Sequence, residues 1–144
     1  MLFLGTFDYA MDERGRLPLP PDYRGAFRDG IVLSQGSPDL CLRAYTTDAF
    51  EAQASAVMAE PALHSRGRAV RLAVFSRCHR MQLDKQNRIL IPPSLRDYAR
   101  LSGKVLVAGN GEYFEIWAPE VLESQMARVD EGLEAMLDSM QARG

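Results

Sequence analysis

The chain has 144 residues, 47% hydrophobic and 25% charged, with a formal net charge of −2, the balance of one ordinary globular domain or two small ones. Its apolar runs fall far short of the roughly 20 residues a membrane helix needs. The opening stretch, interrupted by Asp8, makes no signal peptide, and two cysteines, Cys41 and Cys78, give no disulfide framework. A cytoplasmic protein with no membrane partner is expected. Charge is unevenly spread along the chain. Residues 119–144 carry six acids against Arg128 and Arg143, for −4, while residues 1–118 sum to +2. Arg66, Arg68, Arg71, Arg77 and Arg80 lie in an interval without acids between Glu60 and Asp84. A basic face is therefore compatible with the overall sign.

Phe7, Tyr9 and Met11 alternate with polar or small residues and predict a half-buried strand. Asp12-Glu13-Arg14-Gly15 then has the chemistry of a type I turn, with Asp at its first position and Gly at its last. Arg16-Leu17 resumes an extended strand that Pro20-Pro21 stops, and a short helix over 22–27 is expected behind the prolines. Ile31-Val32-Leu33 and Leu40–Tyr45 predict two more strands separated by turn residues. Asp48 with Glu51 resembles a capping pair opening a helix over 48–60, which Pro61 ends. A second helix over about 63–75 carries the arginine-rich interval.

The chain then repeats itself. Residues 11–24 return at 83–96 with a constant offset of 72, which pairs Asp12 with Asp84, Arg16 with Arg88, Pro20-Pro21 with Pro92-Pro93, and Arg24 with Arg96. Asn87 takes the place of Gly15. Asn is the residue that best replaces Gly where φ must be positive, so a tight β-hairpin is predicted at both turns. The second copy continues with a strand at Arg88–Ile91, a helix over 94–100, and strands at Val105-Leu106-Val107 and Tyr113–Trp117. A last helix over about 120–142 sets Leu122, Met126, Val129, Leu133, Met136 and Met140 at alternating spacings of four and three, a heptad seam. Either the chain's own body or another subunit must cover that seam.

Two copies are too few for a solenoid, and each is short for a core of its own. The expected fold is therefore α+β, two half-domains sharing one core about a pseudo-twofold axis. The segments are a first repeat over 1–50, a helical connector over 51–76, a second repeat over 77–119 and a C-terminal helix over 120–144.

Both turns present Asp-x-x-x-Arg. Asp12 and Asp84, with Gly15 and Asn87, read as turn-structural residues, the carboxylates accepting amide bonds within the turn. Arg16 and Arg88 could simply pair with those acids. Alternatively, Arg14, Arg16, Lys85 and Arg88 could project toward phosphates or guanine edges, for which the planar arginine fork is suited. Four such cations, at about 0.9 counterion each, would give one chain a modest salt dependence.

Phe-x-Gly-Thr-Phe at 3–7 and the doubled Asp-x-x-x-Arg segment resemble the MraZ family of bacterial transcriptional regulators. So do Leu-Asp-Lys-Gln-Asn-Arg-Ile-Leu-Ile-Pro-Pro-Ser-Leu-Arg, the later Val-Leu-Val-Ala-Gly and Phe-Glu-Ile-Trp, over about residues 3–125. The resemblance implies two tandem AbrB-like swapped-hairpin β repeats in a pseudo-twofold barrel with flanking helices. It also implies a ring-shaped homo-oligomer, association with the nucleoid, and binding to double-stranded DNA at short G-rich direct repeats upstream of the division and cell-wall gene cluster. The family's DNA-contacting basic residues fall on Arg14, Arg16, Lys85 and Arg88. Pro18, Glu13, Gln86 and Asn87 depart from the family pattern. Pro18 predicts a short or edge strand, and Glu13 makes the two tips unequal.

Rival chemistries find little support. Cys78-His79 stands far in sequence from Cys41 and His64, so no metal site is expected. Ser76, His79 and Asp84 lack a nucleophile-elbow context, and Gly103, Gly109 and Gly111 do not form a phosphate loop. No catalytic residue, cofactor or small-molecule substrate is expected. The alternative function is an AbrB-like antitoxin that binds DNA and a partner toxin, although the duplication within one chain favours the regulator. The arginines of 66–80 fit a solvated helix face, salt bridges to the acidic 120–138 helix of another subunit, or extra phosphate contacts.

Overall fold

The computed structural model describes residues 1–143. The described residues form eight strands and five α-helices in an α+β arrangement: β1 (Thr6–Ala10), β2 (Arg16–Pro18), α1 (Pro21–Arg24, continued as a 3₁₀ turn over Gly25–Phe27), β3 (Ile31–Gln35), β4 (Leu42–Tyr45), α2 (Thr47–Met58), α3 (Ser65–Phe75), β5 (His79–Met81), β6 (Arg88–Leu90), α4 (Pro93–Ala99), β7 (Lys104–Gly109), β8 (Phe114–Trp117) and α5 (Pro119–Arg143). The prolines act as expected. Pro21 and Pro93 occupy first helical turns, where the missing N–H costs nothing.

The two turns form, but the hairpins do not. Gly15 N donates to Asp12 O and Asn87 N donates to Asp84 O, each at 3.0 Å. The strands leaving each turn then part. β1 pairs with β7 and β5 with β3, while β2 and β6 pair only with each other. Each repeat thus gives its first strand to the other repeat's sheet, and one six-stranded antiparallel sheet results, in the order β1-β7-β8-β4-β3-β5. The physical reason is that a turn motif specifies a reversal of direction, whereas the ladder partner is set by which apolar faces can be buried together.

The β2–β6 ribbon lies across this sheet. Leu17 pairs with Ile89 in register, and both are fully buried with Leu19 and Ile91 against Leu33, Leu42, Val107 and Ile116. An aromatic cluster of Phe3, Tyr23, Phe27 and Phe114, with ring centroids 4.9–5.8 Å apart, closes the core. The Tyr23 hydroxyl donates to Leu4 O at 2.6 Å. Each of these large side chains contributes about 1.5–3 kcal/mol by leaving water, and because both repeats line one core, neither half buries it alone.

One local expectation is corrected and two features are added. α2 is capped by Thr46, whose Oγ1 accepts from Ala49 N at 3.1 Å, rather than by the Asp48–Glu51 pair. β5 was not foreseen, because His79-Arg80-Met81 is short and only half buried. The seam of α5 is covered by the chain's own sheet only near its start. Leu122 is buried, whereas Met126, Leu133, Met136 and Met140 are exposed.

Candidate nucleic-acid interface

Each turn is organised by its aspartate. Asp12 Oδ1 accepts from the amides of Arg14 (3.0 Å) and Arg16 (2.9 Å), and its Oδ2 accepts from Arg16 Nε. Asp84 repeats the pattern, taking the amides of Gln86 (2.8 Å) and Arg88 (2.9 Å) on Oδ1 and Arg88 Nε (2.9 Å) on Oδ2. The arginine's own backbone amide is the main cause holding each carboxyl below its ordinary 3.8, with its side chain adding to the effect. The pairing of arginine with aspartate considered from the sequence is therefore present in both copies. It engages Nε alone. Among the described residues no acceptor meets the Nη atoms of Arg16 or Arg88, whose side chains stay 35% and 25% exposed. A guanidinium anchored through Nε and open at its outer edge is a fork held in a fixed direction, the geometry that bidentate recognition of phosphate or guanine uses.

The ribbon brings the two forks to one face. Side chains alternate along a strand, so burial of Leu17 and Ile89 turns Arg16, Pro18, Arg88 and Leu90 outward. Arg16 stands opposite Leu90, and Pro18 opposite Arg88. The two arginines are thus diagonal neighbours, roughly 7–8 Å apart at the backbone. Arg14 and Lys85 are exposed on the two flanking turns. The four predicted basic residues therefore make one patch with two turns at its ends, rather than two independent fingers.

The turns are also locked to one another. Ile91 N donates to Gly15 O (2.9 Å), and Leu19 N donates to Asn87 O (3.2 Å). Gly15 has φ +89°, and a Cβ there would stand 2.9 Å from both Ile91 O and Arg96 Nε. Asn87 tolerates its φ of +60° in the equivalent place.

Sequence reasoning noted the Arg24–Arg96 match without giving it a role. Arg96 packs its guanidinium against the first turn, and its Nε is buried without a partner among the described residues. Arg24 Nε donates to Leu19 O at 3.1 Å. Leu90, 55% exposed at the centre of the patch, was also passed over. The signal for it was available: it lies one step out of phase with buried Ile89 and Ile91.

Other sites are sparse. Among the described residues no three His, Cys, Asp or Glu side chains stand close enough to hold a metal ion. Cys41 and Cys78 are free thiols, and burial pushes both thiol pKa values up. A cavity of about 300 Å³ between α2, α3 and the sheet is lined by Phe50, Val57, Phe75, Arg43 and Arg77. Among the described residues no helix is long and apolar enough to cross a membrane.

The family model described as "MraZ protein, putative antitoxin-like" matches the chain twice, over residues 2–72 and 74–144. The chain is 41% identical over 119 residues to the "Transcriptional regulator MraZ" of Thermomicrobium roseum, covering 83% of each protein. It is 36% identical over 124 residues to the protein of the same name from Dehalococcoides mccartyi, covering 86% of this chain and 87% of that one. The like-named protein of Herpetosiphon aurantiacus is 31% identical over 143 residues, 99% of each. Two tandem matches, with relatives spanning most of its length, make this chain a member of the MraZ family.

Proposed function

We propose that this protein is a DNA-binding transcriptional regulator that reads short G-rich direct repeats upstream of the division and cell-wall gene cluster, as a ring of identical subunits in the cytoplasm. The reading rests on one observation: two aspartate-anchored arginines with free outer edges share the outward face of the β2–β6 ribbon. Their spacing of roughly 7–8 Å is about two base steps of 3.4 Å. One ribbon therefore addresses two guanines two steps apart in a major groove, Arg16 and Arg88 supplying the forks and Arg14 and Lys85 reaching the flanking phosphates.

A single ribbon contacts few phosphates and binds weakly alone. Successive subunits raise the effective concentration of the next contact, so affinity comes from avidity. Repeats must then recur at about one helical turn, roughly 10 base pairs, to stay on one side of the duplex. Mobility shift at fixed salt, using DNA from upstream of the protein's own gene, tests this. Arg16→Ala with Arg88→Ala in an intact oligomer should abolish the shifted band, and inserting five base pairs between repeats should weaken it sharply. Wild-type affinity in the double variant would refute the site, and indifference to the insertion would refute the avidity.

A further inference from the structure

α5 overhangs the body. Its 25 residues span about 37 Å, and the described residues beyond Val129 are exposed apart from Gly132. The apolar seam nevertheless continues without interruption: Leu133, Met136, Leu137 and Met140 are 40–65% exposed on the same stripe by which Leu122 meets the chain's own sheet. At 100° per residue, the six acids of the helix (Glu120, Glu123, Asp130, Glu131, Glu134, Asp138) all fall within about 100° on one side of that stripe. An uncovered amphipathic end of this length is marginally helical in water.

A face of matching character lies on α3. Ala69, Leu72 and Ala73 point outward, Leu72 being 60% exposed, with exposed Arg66 and Arg68 on the two edges. Neither arginine has an ion-pair partner among the described residues, in contrast with Arg71, which donates to Glu60 O and Met58 O. The 11 residues of α3 extend about 16 Å, against about 21 Å for the free part of α5. Ala69 and Ala73 keep the α3 surface shallow, so a helix bearing large side chains can lie close against it.

We infer that the free end of α5 in one copy docks along the outward face of α3 in the next copy, its one-sided acidic flank against whichever arginine edge of that face, Arg66 or Arg68, the docking direction brings to it. A second copy is the occupant because this chain itself carries both complementary surfaces. Antiparallel pairing of two α5 helices would instead set acidic flank against acidic flank, a repulsive juxtaposition. The α5-to-α3 contact is heterologous, so it propagates head to tail and closes into a ring when the rotation permits. The inference deepens the ring reading above by naming its interface.

Light scattering on the full-length chain, with circular dichroism as a fold control, tests it. Arg66→Glu with Arg68→Glu should reduce the oligomer to monomer, as should Asp130→Arg with Glu134→Arg. The fourfold variant combining them should recover assembly. All of these positions are surface charges, so the fold should survive each change. If the reversals leave the wild-type mass unchanged, the interface is refuted and the ring stands. If Leu133→Asp with Met136→Asp dissociates the oligomer while the α3 reversals do not, α5 docks elsewhere and the inference fails. A wild-type chain that is monomeric at every concentration would remove the ring and this interface together.

Discussion

The two turns of this protein have the same backbone and different chemistry. Asp12 and Asp84 gather the same set of N–H groups, and each fixes its arginine through Nε. Around that frame the first turn holds Glu13, Gly15 and Pro18 where the second holds Lys85, Asn87 and Leu90. Residues 12–16 therefore carry two acids and two bases, for zero net charge, whereas 84–88 carry one acid and two bases, for +1. The comparison separates what must be kept to aim an arginine from what can vary around it. The aspartate and a residue tolerant of positive φ are needed. The neighbouring charge is free to change, and with it the strength of each contact.

The largest effect expected is on DNA affinity. Each good bidentate contact is worth about 1–3 kcal/mol, so Arg16→Ala and Arg88→Ala should each weaken binding by roughly 5- to 150-fold in a titration at fixed salt. Arg88→Ala should cost more, because Lys85 favours phosphate where Glu13 opposes it. Equal losses would erase the functional distinction between the turns. Stability gives the next contrast. Gly15→Ala meets both a positive φ and the Ile91 carbonyl, and should destabilise the fold by about 1–3 kcal/mol in chemical denaturation. Asn87→Gly should change stability by less than about 1 kcal/mol, because Gly readily adopts that conformation.

Exchanging the variable charges should move the turns toward each other. Glu13→Lys should tighten binding a few-fold and steepen the dependence on log salt by about 0.9, one more phosphate neutralised, and Lys85→Glu should do the reverse. The smallest contrast is with pH. Both aspartates are depressed in the folded state, so their contribution is fully present above the ordinary carboxylate value of 3.8 and is lost as pH falls through their lower folded values. Thermal unfolding should show no effect of Asp12→Asn with Asp84→Asn that depends on titration of these groups between pH 5 and 7. The gap between variant and wild type should narrow only below about pH 4.

Legibility from sequence followed the range of the interactions involved. Turn positions, proline stops and the strands β3, β4, β7 and β8 were readable because their signals sit within a few residues. The cap of α2 was misplaced by two residues because Asp48 and Glu51 offered a second plausible start beside Thr46. β5 escaped notice because its alternation is partial, and it is a strand chiefly through pairing with β3. The four basic residues were identifiable as chemistry, yet their convergence on one ribbon was not. Arg96 gained meaning only from the first turn that the other repeat places beside it, whereas Arg24 bonds Leu19 O within its own repeat.

By itself the sequence determined the local geometry of each turn, since an aspartate accepting amides two and four residues ahead needs no other part of the chain. It also determined that there would be two such turns. The tertiary structure decided which strands exchange partners, that Arg16 and Arg88 face the same way, and that α5 leaves half its apolar stripe uncovered. Alternation along a strand says which residues share a face. Which faces are buried together depends on the free energy of the whole core, to which both repeats contribute.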